Sequence, residues 1–462
     1  MLLGSMVHAL LLTSAAFLWV PASSRTVVRN QTTKASPDSN SNGSSRETSD
    51  AASGARVPIS QPTDSCSNVT SEGGLASPKI APKVLIFSLF PSEADIWYQC
   101  WNSSGFGSLE AVQVSAPGLC MLYPNVHCTV DHSVCQVTTG MGEINAAATA
   151  MALGLSQKFD LKSTYILVSG IAGVNPKRGT LGSVGLAKYA VQVALQYELD
   201  SREIPTDWAM GYIAYGTKKP LQYPSILYGT EVFELNEALR DAAFTMASNA
   251  TLVDSEAAGL YRAKYSTMGD MASAATKPPA VVKCDTATSD VYYSGKLLSQ
   301  GFERVSEVWT NGSAQYCMTA SEDSAILEVL IRLAIEGLMD FGRVMVMRSG
   351  SNFDRPPEGV TAYEHLLVLD QNGFSIAISN LYNAGIKIVQ GIVEKWDCTY
   401  KKGLQSTNYI GDIWGSLGGR PDFGPGSITG GYPVKAAGQT GNLMRRRMAD
   451  VGPAMGHPAM PR

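Results

Sequence analysis

Two glycine-rich segments of the chain have residue types and spacing that suit ligand binding. The first, Gly140-Met141-Gly142-Glu143-Ile144-Asn145-Ala146, follows the strand-like residues 135–138 and opens a helical pattern. Gly140 and Gly142 let the backbone approach a ligand closely, and the first amides of a helix present unpaired N–H groups to an oxygen or an anion. As a dinucleotide fingerprint the segment is poor, because Asn145 stands at the third glycine position. Taken alone, it is better explained as a plain tight turn.

The second glycine-rich segment repeats this arrangement after another apolar run. Ser169-Gly170-Ile171-Ala172-Gly173-Val174-Asn175 follows the strand-like residues 164–169, and we expect a backbone turn at Gly170 and Gly173. Ligands of sheets built from alternating strands and helices bind at the carboxyl ends of the strands. Two small-residue turns at such ends could therefore bracket one ligand at the same edge of the sheet.

The elements that must position these segments follow from apolar spacing. Three short apolar runs rich in β-branched residues are typical of strands covered on both faces, at 83–89, 164–169 and 344–347. Apolar residues at helical spacing predict helices at 144–157 and 324–339, and residues 202–228 predict an irregular excursion. The alternation predicts an α/β fold: a single domain with a central mixed, mostly parallel sheet flanked by helices.

Composition and length describe a globular protein with disordered ends. The 462 residues are 45% hydrophobic and 16% charged, and the net charge of −4 gives no basic surface for nucleic acid. The apolar stretch 6–20 with small residues after it predicts a signal peptide over 1–24, with an uncleaved anchor as the alternative. Low-complexity composition predicts a disordered stalk over 25–80 and a disordered tail over 413–462, which leaves a folded domain over 81–412.

The predicted signal peptide and the glycosylation sequons favour a secreted glycoprotein, and the even number of cysteines, eight, is compatible with an oxidising compartment. We therefore expect the secretory pathway, with an extracellular, cell-wall or vacuolar location. The most apolar later segment, 184–195, is interrupted by Lys188 and Gln192, so we expect no multi-span membrane protein and membrane association at most through the N-terminus. Three neighbouring cysteines fit a local disulfide or buried free thiols, but no zinc pattern: Cys120, Cys128 and Cys135. We expect no metal and no cofactor.

Five segments, in this order, resemble the type I nucleoside phosphorylase superfamily and, within it, the family of purine nucleoside permeases. Residues 140–146 are similar to its Gly-x-Gly-x-x-Asn-Ala helix start, and residues 169–174 to its Gly-Ser-x-Gly-Gly turn. The other three are similar to the purine-stacking, ribose-binding and purine N7-binding segments, at 288–294, 321–325 and 348–354. The resemblance covers the chain from Lys83 to about Asp397. It implies a nucleoside phosphorylase-like fold and purine nucleosides as partners, and it leaves a homo-oligomer open.

The resemblance implies roles for single residues. Cleaving an N-glycosidic bond builds positive charge on the ribose and negative charge on the departing base. Glu322, preceded by Ser321, is implied at the ribose hydroxyls, with an exposed first-turn helix acid as the alternative. Tyr292 is implied to stack on the base, with a core aromatic as the alternative. Asn352 is implied at purine N7 and O6, with Asp354 nearby for proton transfer, and turn chemistry is the alternative for both.

Departures from the phosphorylase pattern bear on the reaction. Val168 and Ile171 stand where phosphate-using members carry an arginine and a serine, and the loop 88–93 lacks their glycine and arginine. Without these charge-assisted hydrogen bonds a phosphate dianion is poorly held. The same loop ends in Glu93, where hydrolytic members carry the glutamate that activates water. The alternative for Glu93 is a solvated loop or helix-cap acid beside Asp95.

Three functions are consistent with these residues. The favoured one is a purine nucleosidase that hydrolyses nucleosides with Glu93, Glu322 and Asn352 in nucleoside uptake or salvage. The second is a non-catalytic nucleoside-binding or transport protein, as the family's name implies. A phosphate-dependent nucleoside phosphorylase is the third.

Overall fold

A mixed β-sheet runs through the centre of the computed structural model, which describes residues 78–424. Of the fifteen strands in this part of the chain, thirteen join the sheet and two form a separate antiparallel pair. The strands in chain order are β1 (Val84–Ser88), β2 (Val112–Ser115), β3 (Asn125–Cys128), β4 (Val134–Thr138), β5 (Tyr165–Val174), β6 (Val184–Ala187), β7 (Tyr189–Gln192), β8 (Gln196–Glu198), β9 (Tyr212–Ala214), β10 (Val232–Glu234), β11 (Val281–Lys283), β12 (Asp285–Thr288), β13 (Tyr316–Ala320), β14 (Val344–Phe353) and β15 (Gly411–Asp412).

Eight α-helices of the described residues accompany the strands. They are α1 (Pro91–Cys100), α2 (Glu143–Leu155), α3 (Glu237–Ala247), α4 (Glu256–Ala263), α5 (Lys296–Trp309), α6 (Asp323–Ile335), α7 (Ala362–Leu367) and α8 (Phe374–Glu394). Short 3₁₀ turns lie at Trp101–Ser104, Gly269–Ala272 and Phe341–Arg343, and a π-helical turn lies at Trp396–Tyr400.

The central strands are parallel, and part of the sheet closes on itself. β4, β1, β5 and β14 lie side by side in parallel. β14 also pairs with β6, which continues into β7 through Lys188. β7 pairs with β12, β12 with β13, and β13 with β5, which completes a ring of strands. The predicted α/β fold with a mixed, mostly parallel central sheet is confirmed.

Helices cover both faces of the central strands. Leu85 and Phe87 of β1 pack with residues of α2 and α6, whereas Val84 and Ile86 pack with residues of α1, α3 and α8. All five residues of β1 are buried, and this double covering explains the continuous apolar run in the sequence. Because β1, β4, β5 and β14 are parallel, their carboxyl ends meet at one edge of the sheet.

The first glycine-rich segment forms a turn at this edge. Gly140 and Gly142 have φ angles of 83° and 89°, in the region that favours glycine, and α2 begins at Glu143. The helix predicted over 144–157 is therefore present with slightly earlier ends.

The second glycine-rich segment is part of a strand, and the predicted turn is wrong. β5 continues through Gly170 and Gly173 to Val174, because β14 pairs with it along nearly its whole length. A Cβ on Gly170 would lie 2.3 Å from Arg348 Nη1 and 2.9 Å from Glu93 Oε1. Glycine is needed at this position because two side chains approach the strand closely.

The most apolar later segment, 184–195, forms β6 and β7 rather than a helix. Between residues 78 and 424, none of the helices has both the length and the apolar character that a membrane crossing requires. Disulfides join Cys128 to Cys135, as one of the two cysteine alternatives predicted, and Cys284 to Cys317, which the sequence did not suggest.

Several predicted boundaries lie outside the described residues. The signal peptide over 1–24, nearly all of the stalk over 25–80 and most of the tail over 413–462 remain predictions. Within the described part, Ile413 and Phe423 follow the predicted end of the folded domain and are buried in an apolar cluster with β7 and α5.

Candidate functional site

Arg348 is the centre of a buried group of charged side chains at the edge of the sheet. It lies in β14 with 1% of its surface exposed. Its Nη2 donates to Glu322 Oε2 at 3.2 Å, and its Nε donates to Asp323 Oδ1 at 3.1 Å. Its Nη1 donates to the carbonyl of Ile171 at 3.2 Å. Burial lowers the pKa of Arg348, but Asp323 and Glu322 outweigh it, so the guanidinium stays charged.

Glu93 approaches the same place from helix α1. Its Oε1 accepts from the amide of Ile171 at 2.6 Å, and its Oε2 accepts from the amide of Leu89 at 2.7 Å. The side chain is 1% exposed, which excludes the alternative of a solvated loop acid. Burial raises the pKa of Glu93 to about 8, against the lowering effects of Arg348 and of the two amides. The carboxyl can therefore exchange a proton near neutral pH.

Glu322 connects this charged group to the turn before α2. Its Oε1 accepts from the amide of Gly142 at 3.0 Å, while its other oxygen bonds Arg348. The neighbouring amide, of Glu143, donates to Asp290 Oδ1 at 2.9 Å. The first amides of α2, which the sequence predicted to be open to an anion, are thus occupied by carboxylates of the chain itself.

Glu143 adds a further titratable group beside Glu322. Its Oε1 accepts from Gln192 Nε2, and its side chain is half-buried. Burial, together with the negative charges of Asp290 and Glu322, raises the pKa of Glu143 to about 7, against the lowering effect of the hydrogen bond from Gln192. Three carboxyl groups therefore surround the turn at Gly142.

Tyr292, in the loop after β12, and Asn352, near the end of β14, form a second group of candidate residues. The hydroxyl of Tyr292 donates to Asn352 Oδ1 at 3.0 Å, and the Tyr292 side chain is 67% exposed. This exposure excludes the alternative of a core aromatic and leaves the ring free to stack on a ligand. Ser351 Oγ donates to the same Asn352 oxygen at 3.0 Å. Ser321 is half-buried directly before Glu322.

Asp354 is not part of this group, and its predicted catalytic role is wrong. Arg355 donates to both of its oxygens at 2.8 Å, and the Tyr316 hydroxyl donates to Oδ2 at 2.6 Å. Asp354 and Arg355 are both buried. Asp354 follows the last residue of β14, and its carboxylate is held in an internal ion pair with Arg355.

Sequence reasoning missed Arg348 and Asp323 although both stand in segments that it singled out. An arginine that directly follows an apolar strand run must be paired if it is buried, and Asp323 lies next to the predicted ribose ligand. Asp290 was also missed, because its bond to the amide of Glu143 joins residues 147 positions apart. Val168, at the predicted phosphate position, is fully buried in the apolar cluster with α2 and α6.

Solved structures resemble this fold at low sequence identity. A 5′-methylthioadenosine/S-adenosylhomocysteine nucleosidase from Neisseria meningitidis is 13% identical, with a TM-score of 0.40, over 68% of this chain and 99% of that one. A futalosine hydrolase from Helicobacter pylori is 14% identical, with a TM-score of 0.39, over 67% of this chain and 97% of that one.

Curated relatives are much more similar in sequence. A purine nucleoside permease of Candida albicans is 46% identical over 75% of this chain and 84% of its own length. A probable purine nucleoside permease of Schizosaccharomyces pombe is 41% identical over 68% of this chain and 90% of its own length. The predicted extracellular, cell-wall or vacuolar location is wrong, since these relatives are named permeases, the term for transporters that act at membranes. The purine nucleoside permease family model matches residues 81–405, and the chain therefore belongs to the purine nucleoside permease family.

Proposed function

We propose that the protein binds purine nucleosides between Glu322 and Tyr292 and hydrolyses their N-glycosidic bond. One observation carries the proposal. Glu93 and Glu322, which are more than two hundred residues apart in the chain, both interact with Arg348, and Glu93 also lies against the glycine-containing strand β5. In such a pair, the carboxyl group with the raised pKa can accept and release a proton, and the other can bind the substrate.

Glu93 is suited to activate water. Each of its oxygens accepts one backbone amide, and each keeps a second lone pair that a water molecule can donate to. A pKa of about 8 makes the ionised carboxylate a stronger base than an exposed glutamate, near the pH at which it would work. Water that loses its proton to Glu93 attacks the anomeric carbon while the C1′–N9 bond breaks. The products are free ribose and a purine anion that takes up a proton from solvent.

Glu322 is suited to hold the ribose. Arg348 and the amide of Gly142 fix its carboxylate, and its remaining lone pairs can accept from the 2′- and 3′-hydroxyls. The negative charge also favours the oxocarbenium-like transition state, in which the ribose becomes positive. The departing base would stack on Tyr292 and accept a hydrogen bond from the amide of Asn352.

Phosphorolysis fits the same geometry poorly. The amides of Leu89 and Ile171 bond Glu93, and the amides of Gly142 and Glu143 bond Glu322 and Asp290. A phosphate dianion would have to replace these carboxylates or lie beside them, where like charges repel it. Hydrolysis needs no such anion.

Binding without catalysis is the second candidate, and the engaged state of Glu93 favours it. Both oxygens of this carboxyl already accept short hydrogen bonds from backbone amides. These two bonds also connect the end of β1 to β5. A protein that only holds nucleosides for uptake would need Glu322 and Tyr292 but no base.

The deciding experiment uses the purified full-length chain with inosine, adenosine and guanosine, with and without phosphate. The proposal expects free base and free ribose in phosphate-free buffer, and loss of turnover in Glu93→Gln. Ribose 1-phosphate formed only with added phosphate would establish phosphorolysis. Nucleoside binding by calorimetry without base release in either buffer would establish the binding function, and absence of binding would exclude all three.

A further inference from the structure

A surface cavity of about 470 Å³, here called the basic cavity, lies between the turn after β5, helix α3 and strand β11. Its volume is within the range of sites that bind small molecules. No acidic side chain of the described residues lines it, and none of the residues assigned to the nucleoside site borders it. The basic side chains that line it are Lys177, Arg178, Lys277 and Lys283.

The two basic residues in the turn after β5 are not fully neutralised by the chain. Lys177 Nζ lies 3.1 Å from Glu303 Oε1, but the same carboxylate also lies 3.5 Å from Arg355 Nη1. Arg178 Nη1 donates to the neutral side-chain oxygen of Gln315 at 3.2 Å and has no acidic partner among residues 78–424. One shared carboxylate therefore faces both cations.

The two lysines in and before β11 are in the same situation. Lys283 Nζ lies 2.9 Å from Asp241 Oδ1, and this oxygen also accepts from Arg240 Nε at 2.5 Å. Lys277 is exposed and has no acidic partner within the described part of the chain. Again, a single carboxylate that an arginine also uses is the only acid that faces two cations among the described residues.

A positive surplus remains when the further partners of these two arginines are included. Arg355 also pairs with Asp354, and Arg240 also pairs with Glu237. The four basic residues of the cavity and the two arginines then face four carboxylates, which leaves a surplus of at least two positive charges. The chain as a whole carries a net charge of −4, so the surplus is local.

The segments that carry the cations are tied to one another. The amide of Ala274 donates to the carbonyl of Pro176 at 3.0 Å, and Ser273 Oγ donates to the carbonyl of Lys177 at 3.1 Å. A disulfide joins the residue after β11 to β13. The cations are thus held around one cavity although like charges repel, which is the arrangement expected of a site that receives an anion.

We propose that the basic cavity binds a ligand with two or more phosphate groups. Phosphate oxygens accept charge-assisted hydrogen bonds from lysine and arginine and neutralise the surplus charge. A single phosphate would fill only a small part of the cavity. Because the cations come from three segments of the chain, linked phosphate groups contact more of them than one group does. The proposal concerns a site outside the nucleoside site and does not depend on the proposed function.

Nucleotides and inorganic polyphosphates share this chemistry. Phe244, Val281 and Val282 also line the cavity and offer an apolar surface to the nucleoside part of a nucleotide. ADP is therefore expected to bind more tightly than pyrophosphate if the ligand is a nucleotide, and equally tightly if it is inorganic.

Calorimetric titration of the purified full-length chain with pyrophosphate and with ADP tests the proposal. Arg178→Gln and Lys277→Gln each remove a cation that has no acidic partner among the described residues, and each should weaken pyrophosphate binding by about tenfold. Lys162→Gln is the matched control, because Lys162 is also exposed but does not line the cavity. It should change the affinity by less than about twofold, whereas raising the NaCl concentration from about 50 to about 200 mM should weaken binding to wild type.

Glu322→Gln, which alters the nucleoside site, should leave pyrophosphate binding unchanged. Loss of pyrophosphate binding in this variant would place the anion in the nucleoside site and overturn the proposal. Failure of wild type to bind either anion, or wild-type affinity in both Arg178→Gln and Lys277→Gln, would overturn it as well. The proposed function is tested separately by nucleoside hydrolysis and is unaffected by any of these results.

Discussion

Glu93 has two backbone amides and one guanidinium as neighbours, which lower its pKa, but burial has the larger effect and raises it. The raised pKa means that the carboxyl is mostly protonated at pH 7, while Arg348 keeps the positive charge that its paired acids require. The same residue therefore determines two pH dependences, one of the reaction and one of folding.

We expect hydrolysis to become faster as the pH rises and to level off above about 8. Glu93 must be ionised to accept a proton, and its pKa is raised to about 8. Below that value kcat/KM for inosine should rise about tenfold per pH unit, and Glu93→Gln should lower it by about 10²–10⁴-fold. Phosphate-free assays across this pH range measure both effects. Asp95→Asn, on the exposed side of α1, is the matched control, and a pH-independent wild type would contradict the role of Glu93.

Glu93 should also make folding stability decrease with rising pH. Between pH 4.5, the ordinary pKa, and about 8 the folded chain keeps a proton that the unfolded chain has released. The free energy of unfolding then falls as the pH rises through this interval. Urea unfolding of wild type and Glu93→Gln at several pH values measures the difference. Parallel pH profiles for the two proteins would show that Glu93 is not buried as described.

We expect Glu322→Gln to weaken nucleoside binding by at least about tenfold, because charged hydrogen bonds to the ribose diol are lost. Asp323→Asn is the matched control, since Asp323 shares Arg348 but is fully buried. The control should lower the melting temperature more and the affinity less. Calorimetric titration and thermal unfolding of both variants separate the two effects. Equal affinities for Glu322→Gln and wild type would assign Glu322 a purely structural role.

The candidate residues that the sequence could predict were those in recognisable local patterns. Glu322 and Tyr292 stand in short motifs that keep their order along the chain, and the structure brings them to one edge of the sheet. Their partners could not be predicted in the same way. The bonds of Arg348 to Glu322 and of Asp290 to the α2 turn depend on which strands become neighbours, and no local spacing contains that information.

At the scale of elements, β5 shows how packing overrides local preference. Small residues with two glycines predict a turn, but β14 pairs with this segment and extends the strand to Val174. Strand pairing supplies more backbone hydrogen bonds than an isolated turn would. The strands β1 and β5, by contrast, were correctly predicted from their apolar runs, because a strand that is buried on both faces has apolar residues at nearly every position.

We expect Gly170→Ala to destabilise the protein by about 1–3 kcal/mol, the range for overpacking a filled interior. The new methyl group would meet Arg348, Leu89 and Glu93 at less than 3 Å, so it should also reduce turnover. Gly259→Ala is the matched control, since its Cβ would meet only the Arg262 side chain at 3.6 Å in helix α4. Denaturant unfolding measures both. Equal stabilities would show that the strand can move away from the charged group.

At the scale of the whole molecule, the ring of strands joins distant parts of the chain. β14 pairs with β5 along nearly its whole length, and β13 pairs with β5 at its last two residues. Lys188 connects β6 to β7. Both candidate halves of the site lie on strands or turns of this ring or directly beside it. The site is consequently complete only when the ring is closed.

A chain that ends at Asp340, before β14, should therefore lack a cooperative unfolding transition. A chain that ends at Gly424 keeps every described strand and is the matched control, expected to unfold cooperatively like the full protein. Circular dichroism during urea titration measures both. Cooperative unfolding of the shorter chain would show that β1, β4 and β5 are stable without β14.

Closure of the ring also affects the protein while it is being made. When β5 has been synthesised, the edge that will pair with β14 is still unpaired. β14 follows roughly 180 residues later, and synthesis of these residues takes about ten to forty seconds at about 5–20 residues per second. During that time an apolar strand edge is open to pairing with other chains, the condition that leads to aggregation. Synthesis in the cell thus depends on protecting this edge until Arg348 and the rest of β14 have been translated.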